Sequence, residues 1–420
     1  MLLRRTALLS ISLVSLLPAT LLAGDWPEFR GPGRDGHSAD KGLLKKWPKA
    51  GPKLLWEQSG LGLGHATVVI QGDQMYTTGD HSDANYLYAM KRDSGERLWK
   101  HKLGKPGGPG WGDFKGTRST PAVDGDRVYA LGQYGELICC ETKTGEELWR
   151  KHFIDDFNGD LPEWGFSEGL LIDGKKLVCT PGGDGGAVIA LDKMTGETIW
   201  RCKDLKEQAQ YSSLIRVEID GMPQYIAFTQ KSVAGVAAKD GDLLWRAERE
   251  GRIAICTTPV FQGGYVYVTS EYDIGCNLFH VQKKGGKFVA AEKYGKKAKK
   301  VMLNKHGGVV LVDGHVYGHS GPLGWVCQDL LTGKEKWRAR RELGVGTITY
   351  ADGMLFLREE LGKGTVVMIE ASPKGYKELG RVVPPHHKSK AHAWAAPVIV
   401  DGLMYLREND WLLCYDIRGK

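Results

Sequence analysis

The stretch Pro121–Leu131, PAVDGDRVYAL, sets two apolar runs on either side of an Asp-Gly pair, and LICCETKTGEELW (Leu137–Trp149) follows it with two more. An Asp-Gly or Gln-Gly pair between β-rich runs is a hairpin signal, because glycine supplies the positive φ that such turns need. The device recurs in VVLVDGHVYG (Val309–Gly318) and PVIVDGLMYL (Pro397–Leu406), and the eight turn glycines are Gly72, Gly125, Gly174, Gly221, Gly263, Gly314, Gly353 and Gly402. Successive glycines stand 53, 49, 47, 42, 51, 39 and 49 residues apart. The second half of the unit recurs as well, each time ending in a tryptophan: Trp99, Trp149, Trp200, Trp245 and Trp337. Worn copies occupy 278–294 and 366–382.

Four strands per copy and a period of roughly 40 to 50 residues predict propeller blades. The fold class expected is all-β, an eight-bladed β-propeller of four-stranded antiparallel blades. Its eighth unit is split between the chain ends. LLCYDIRGK at the C-terminus supplies a third strand, and KLLWEQ (Lys53–Gln58), with Trp56 at the repeat's tryptophan position, supplies the fourth. That overlap closes the ring, so no blade edge is left open at the seam. The division expected is a signal peptide over 1–24, an N-terminal extension over 25–52 and a single propeller over 53–420.

Arg4 and Arg5 precede an apolar run from Ala7 to Leu22 that ends at small residues, the pattern of a secretory signal. An exported chain, periplasmic or extracellular, with no membrane span in its mature part follows from it, and a monomer is expected. The charge balance, 57 Lys and Arg against 50 Asp and Glu, gives +7 without a broad basic face, which argues against nucleic acid as a partner. The basic run Lys296–Lys300 reads as a solvated loop. Of the eight cysteines, Cys139, Cys327 and Cys414 fall on a small-residue position of the repeat and read as free packing groups. Cys139 and Cys140 are adjacent on one strand and so point to opposite faces.

The pattern A/C-x-D/E-x-x-T-G-x-x-x-W, present at Ala190–Trp200 and approximately at Cys139–Trp149, resembles the repeat of pyrroloquinoline-quinone (PQQ) propellers. That superfamily includes quinoprotein alcohol dehydrogenases and the propeller lipoprotein of the outer-membrane β-barrel assembly machinery. DWPEFRGPGRDG (Asp25–Gly36) resembles the opening of exported bacterial PQQ-like propellers. The resemblance implies that Trp56, Trp99, Trp149, Trp200, Trp245 and Trp337 dock across to neighbouring blades, a use suited to a large apolar ring with one N–H.

Loops entering each first strand line one rim of the channel. They place Arg118, Trp164, Glu168, Ser212, Asn304, His306 and Trp394 there as candidates for binding a flat polar ligand, with indoles to stack on and a guanidinium for a carboxylate. The loops Gly104–Arg118, Phe153–Phe166 and Pro384–Trp394 are long, and Trp111 lies on the first of them. Glu168 and His306 are the candidate catalytic groups. Glu168 and Asn304 are the oxygen donors available to calcium, should PQQ with calcium be a cofactor. No metal site is expected: His386, His387 and His392 read as exposed loop histidines. No HExxH occurs, nor a heme-attachment CxxCH. The leading reading is a non-catalytic binding or scaffold module of the cell envelope, with an envelope protein or a small polar or carbohydrate ligand as partner. A PQQ-dependent dehydrogenase of alcohols or sugars is the alternative, and a carbohydrate-binding or carbohydrate-processing propeller a third.

Overall fold

A computed structural model describes residues 24–110, 114–388 and 391–419 of the chain. The expected signal peptide, apart from Gly24, and Trp111 lie outside the described residues.

Eight four-stranded antiparallel units follow one another around a ring. Blade 1 runs Val69–Gln71, Gln74–Asp80, Asn85–Lys91 and Arg97–Gly104, in sequence order from the channel outward. Blades 2 to 7 occupy 122–152, 171–201, 215–248, 260–292, 309–339 and 346–382. Blade 8 takes three strands from 398–416 and its outermost strand, Lys53–Gln58, from the other end of the chain, with Trp56 opposite Cys414. Closure is therefore as the repeat predicts. Helix is confined to single turns at Lys296–Lys299 and Gly321–Leu323 among the described residues.

The hairpin turns explain the repeated glycines. Asp220-Gly221, Asp313-Gly314, Asp352-Gly353 and Asp401-Gly402 hold positive φ at both central positions, the two-residue turn whose twist matches paired strands.

Cohesion comes from eight apolar cores, one at each blade-to-blade interface. The core at the seam joins Val400, Tyr405 and Leu412 of blade 8 to Ile70, Met75 and Tyr88 of blade 1. Cys139 and Cys140 face different cores, one shared with blade 3 and the other with blade 1, as alternation along a strand requires.

The six outer strands that carry the repeat's tryptophan have a β-bulge just before it, seen for instance at Leu55, Leu98, Leu148 and Ile199. The indoles of Trp56, Trp99, Trp149 and Trp200 then stand where a side chain on Gly95, Gly145, Gly196 or Gly241 of the following blade would lie. Nε1 of Trp99 donates to Thr142 O at 2.9 Å, that of Trp149 to Lys193 O at 3.1 Å and that of Trp337 to Ser372 O at 2.7 Å. Trp245 departs from this scheme. Its N–H turns back to Gln224 Oε1 of its own blade (2.6 Å) above Gly235, although its ring joins the core shared with blade 5. The reason is local: the next turn, at Gly285-Gly286, is open and offers no slot.

Trp200 is 8% exposed, whereas Trp149 is half-buried. Trp200→Ala should therefore lower the unfolding free energy by about 3 kcal/mol, and Trp149→Ala by less. Denaturant melts of the two variants check the order.

Candidate functional site

Residues 25–52 are woven into the ring. The segment enters at the hairpin-turn face, where Asp25 Oδ1 accepts from Gly72 N–H and Trp26 exchanges two backbone bonds of 2.8 Å with Ile70. It then crosses the channel. Pro27 O accepts from Val123 of blade 2, and Phe29 fills the space where Gly169 of blade 3 lacks a side chain. Arg34 reaches Gly169 O, Leu170 O and Leu214 O at 2.7–2.8 Å and pairs with Glu28 at 2.6 Å. Arg30 donates to Val309 O of blade 6. His37–Ser38 finally adds a short parallel strand to the inner edge of blade 7. Arg30 and Arg34 both hold positive φ (67° and 53°), which is unfavourable for a residue with a Cβ and is maintained by these bonds. Further on, Leu43 and Trp47 are buried in the core between blades 7 and 8.

At the strand-entry side a belt of hydroxyls stitches blade to blade. Ser119 Oγ donates to Glu168 O, Ser212 Oγ to Thr257 O, and Thr349 Oγ1 to Pro397 O. These bonds satisfy carbonyls that the first strands leave unpaired at their ends.

Above the belt lies the rim. Trp394 is surrounded by His65, His306 and His392, with ring centroids at 4.4, 4.9 and 4.9 Å, and by Phe114 at 5.9 Å. The Arg118 guanidinium stands 6.0 Å from the same indole. Blades 1, 2, 6 and 8 thus converge over the channel mouth. The Glu360 carboxylate, 3% exposed, takes His392 Nδ1 at 2.8 Å and His306 Nδ1 at 3.5 Å. Burial opposes its ionisation, yet the bonds from His306 and His392 hold its carboxyl well below the usual carboxylate range. An ionised carboxylate only accepts, so both Nδ1 atoms carry the proton. Burial keeps His306 below the usual imidazole range, and neutral His306 then leaves Nε2 as an acceptor. Burial, reinforced by the Arg118 charge, pushes His65 down to about 3. The rim thus holds two imidazoles on one anion and a third, His65, on Lys115 O, with the Nε2 lone pair of His306 placed to accept from a hydroxyl or amide donor.

The structure brings Arg118, His306 and Trp394 together. Trp164 joins through its backbone carbonyl, which accepts from Arg118 Nη1 at 2.6 Å, and its ring lies 6.0 Å from Tyr211. Glu168, Ser212 and Asn304 sit deeper and are engaged. Asn304 Oδ1 accepts from Gly308 N–H, while its amide donates to Gly308 O and His319 O. Both Glu168 oxygens accept from Thr180 at 2.6 Å. With these oxygens committed to protein donors, Glu168 and Asn304 do not fit the calcium pair that a quinone cofactor would need. No group of three metal-ligating side chains is arranged around a common point among the described residues.

Two of the loop histidines differ from expectation, while His386 is exposed as expected. His392 pairs with Glu360, and His387, with a side chain 2% exposed, pairs with buried Glu408 at 2.8 Å. His386 stacks on Trp411 at 3.8 Å. Sequence reasoning also missed Glu360, which closes the charged run REE after a second strand and carries no periodic signal.

Burial raises the Glu168 carboxyl to about 7 despite its two Thr180 bonds. The folded state therefore holds this proton more tightly than the unfolded chain. That contribution to stability is fully present below about 4.5 and is lost as pH rises through about 7. Glu168→Gln should flatten the pH dependence in that window, by at most about 3 kcal/mol, in denaturant melts run across it.

The repeat, the blade count and the docking tryptophans define a PQQ-type-repeat β-propeller. A family model described as outer membrane protein assembly factor BamB matches residues 83–321, more than half of the chain, and the chain belongs to that family. Among curated proteins, outer membrane protein assembly factor BamB of Kangiella koreensis is 26% identical over 192 residues, 44% of each chain. That of Shewanella oneidensis is 32% identical over 186 residues, 40% of this chain and 44% of its own. The chain thus spans under half the length of these curated relatives. Among solved structures, BamB from Moraxella catarrhalis superposes with a TM-score of 0.60 at 13% identity, over 88% of this chain and 98% of that one. Quinohemoprotein alcohol dehydrogenase from Comamonas testosteroni gives 0.62 at 14% identity, over 94% and 81%. The two structural likenesses bear on fold alone. No helix among the described residues is long and apolar enough to cross a membrane.

Proposed function

We propose that this protein is an exported, non-catalytic binding module of the cell envelope, which presents its histidine rim to a partner in outer-membrane protein assembly. Membership of the assembly-factor family carries the reading. The geometry supports it in two ways. The N-terminal segment fills the channel from the turn face, and the oxygens proposed for a cofactor metal are spent on internal bonds. What remains accessible is a rigid rim whose His306 and His392 are oriented by Glu360, a surface for docking. The ring holds that rim still, so a partner meets a preformed site and little ordering entropy is lost on binding.

One comparison tests this against the dehydrogenase reading. The purified protein is mixed with PQQ and calcium and desalted, then assayed for retained quinone absorbance and for dye reduction with alcohols or sugars. In parallel, a photo-crosslinking residue replaces Lys115 or Ala391 on the rim in living cells. The expected result is no retained quinone, together with adducts to an outer-membrane assembly protein that His306→Ala or His392→Ala diminishes. Each substitution takes one bond from buried Glu360 and should cost about 1–3 kcal/mol, so the adducts are compared at a temperature where both variants stay folded. Retained quinone with dye reduction would overturn the proposal.

A further inference from the structure

We infer that the groove between the outer strands of blades 1 and 2 receives an acidic, leucine-bearing segment of a protein partner, at a site separate from the rim. The groove measures roughly 520 Å³ and is lined by His101, Lys102, Leu103, Lys105, Pro106 and Arg150, with Asp83 as its one acid. Its wall is the outer strand Arg97–Gly104, RLWKHKLG, which is eight residues long and holds three cations, a histidine and no carboxylate. Six of the other seven outer strands carry at least one glutamate, and the seventh, Thr198–Arg201, is only four residues long. Lysines on a free edge commonly serve to prevent strand pairing. That purpose is met elsewhere in this ring by mixed charges, and it does not explain a local excess of one sign.

The excess is not neutralised within the chain. Arg97, Lys100, Lys102 and Lys105 are exposed, and no carboxylate pairs with any of them among the described residues. Lys100 and Lys105 instead lie over the rings of Tyr86 and Tyr134, at 4.3 and 4.5 Å. Arg150 caps Leu103 O and Lys102 O and shares Glu147 with His101, so part of the strand edge is already closed to added strands. A ligand therefore sits in the groove through side chains. Beyond the groove's own lining, the bulges leave Leu98 and Leu148 39% and 42% exposed on the same two strands, as they leave Leu55 and Ile199 on theirs. A segment that runs past the groove thus meets apolar surface as well as cations. An anionic membrane would call for a broad basic face, whereas this patch is confined to one interblade edge.

The probe is a fluorescein-labelled peptide of alternating Glu or Asp and Leu, with a Gln and Asn analogue as control, read by anisotropy at about 150 mM salt. Carbodiimide cross-linking maps where its carboxylates attach. The expected result is binding of the acidic peptide, with cross-links on Lys100, Lys102 or Lys105 and at least an about tenfold loss of affinity in Lys102→Glu/Lys105→Glu. Four results would overturn the inference: no binding, equal binding of the neutral analogue, attachment chiefly at Lys296–Lys300, or binding to phosphatidylglycerol vesicles that the double variant loses while peptide binding persists. None of these readings depends on the rim, so failure here leaves the proposed function standing, and failure of that proposal leaves the groove testable.

Discussion

Arg34→Ala should cost about 3–5 kcal/mol, and the loss should fall first on the segment that crosses the channel. The side chain is 5% exposed and ties three blade carbonyls, Gly169 O, Leu170 O and Leu214 O, to Glu28. Truncation leaves those acceptors without their donor and Glu28 without its cation. Burial already pushes the Glu28 carboxyl upward, so the orphaned acid will take a proton or seek water. The backbone strain at Arg30 and Arg34 then has less to hold it. Arg34→Lys should lose a large part of the same energy, because an ammonium cannot span three carbonyls as a planar fork does. Urea melts give the energy, and proteolysis within 25–40 shows where it is lost.

Arg358→Ala should be comparably severe, again about 3–5 kcal/mol. Arg358 is fully buried and donates to Ala395 O at 3.0 Å, Arg407 O at 2.6 Å and Glu408 Oε2 at 2.6 Å. Glu408 is 1% exposed and is otherwise held by neutral Asn409, at 3.4 Å, and His387, so removing the guanidinium strands a carboxylate between blades 7 and 8 and opens a void. The paired replacement Arg358→Met with Glu408→Leu removes both charges and refills the space. It should cost less than Arg358→Ala alone, a difference that equilibrium melts of the two variants will measure.

How much of this was legible in the sequence depends on the range over which each feature is encoded. Turns and docking tryptophans are local, so Gly314 and Trp149 announce their places, and the repeat register carries Trp56 to its partner strand across the whole chain. Trp245 escaped because its orientation depends on the following blade, whose turn is worn. On the rim, Arg118, His306 and Trp394 were reached through the register of the entry loops. Glu360 was not, since it follows a second strand in the run Arg358–Glu360, whose charges read as surface residues. His387 and His392 read as exposed because their loop is rich in lysine and proline, while the carboxylates that pair with them lie elsewhere in sequence. The channel-crossing segment was the least legible element. Asp25–Gly36 has neither strand nor helix periodicity, and the acceptors of Arg30 and Arg34 are backbone carbonyls that no residue type advertises.

Amide hydrogen exchange of the segment from Trp26 to Ser38 tests most directly whether the ring is filled from within. Protection of Trp26 and Gly36 comparable to that of the inner blade strands is predicted, with its loss in Arg34→Ala. Exchange at the rate of an unstructured chain in the unaltered protein would mean that the channel stands open, and would contradict the account.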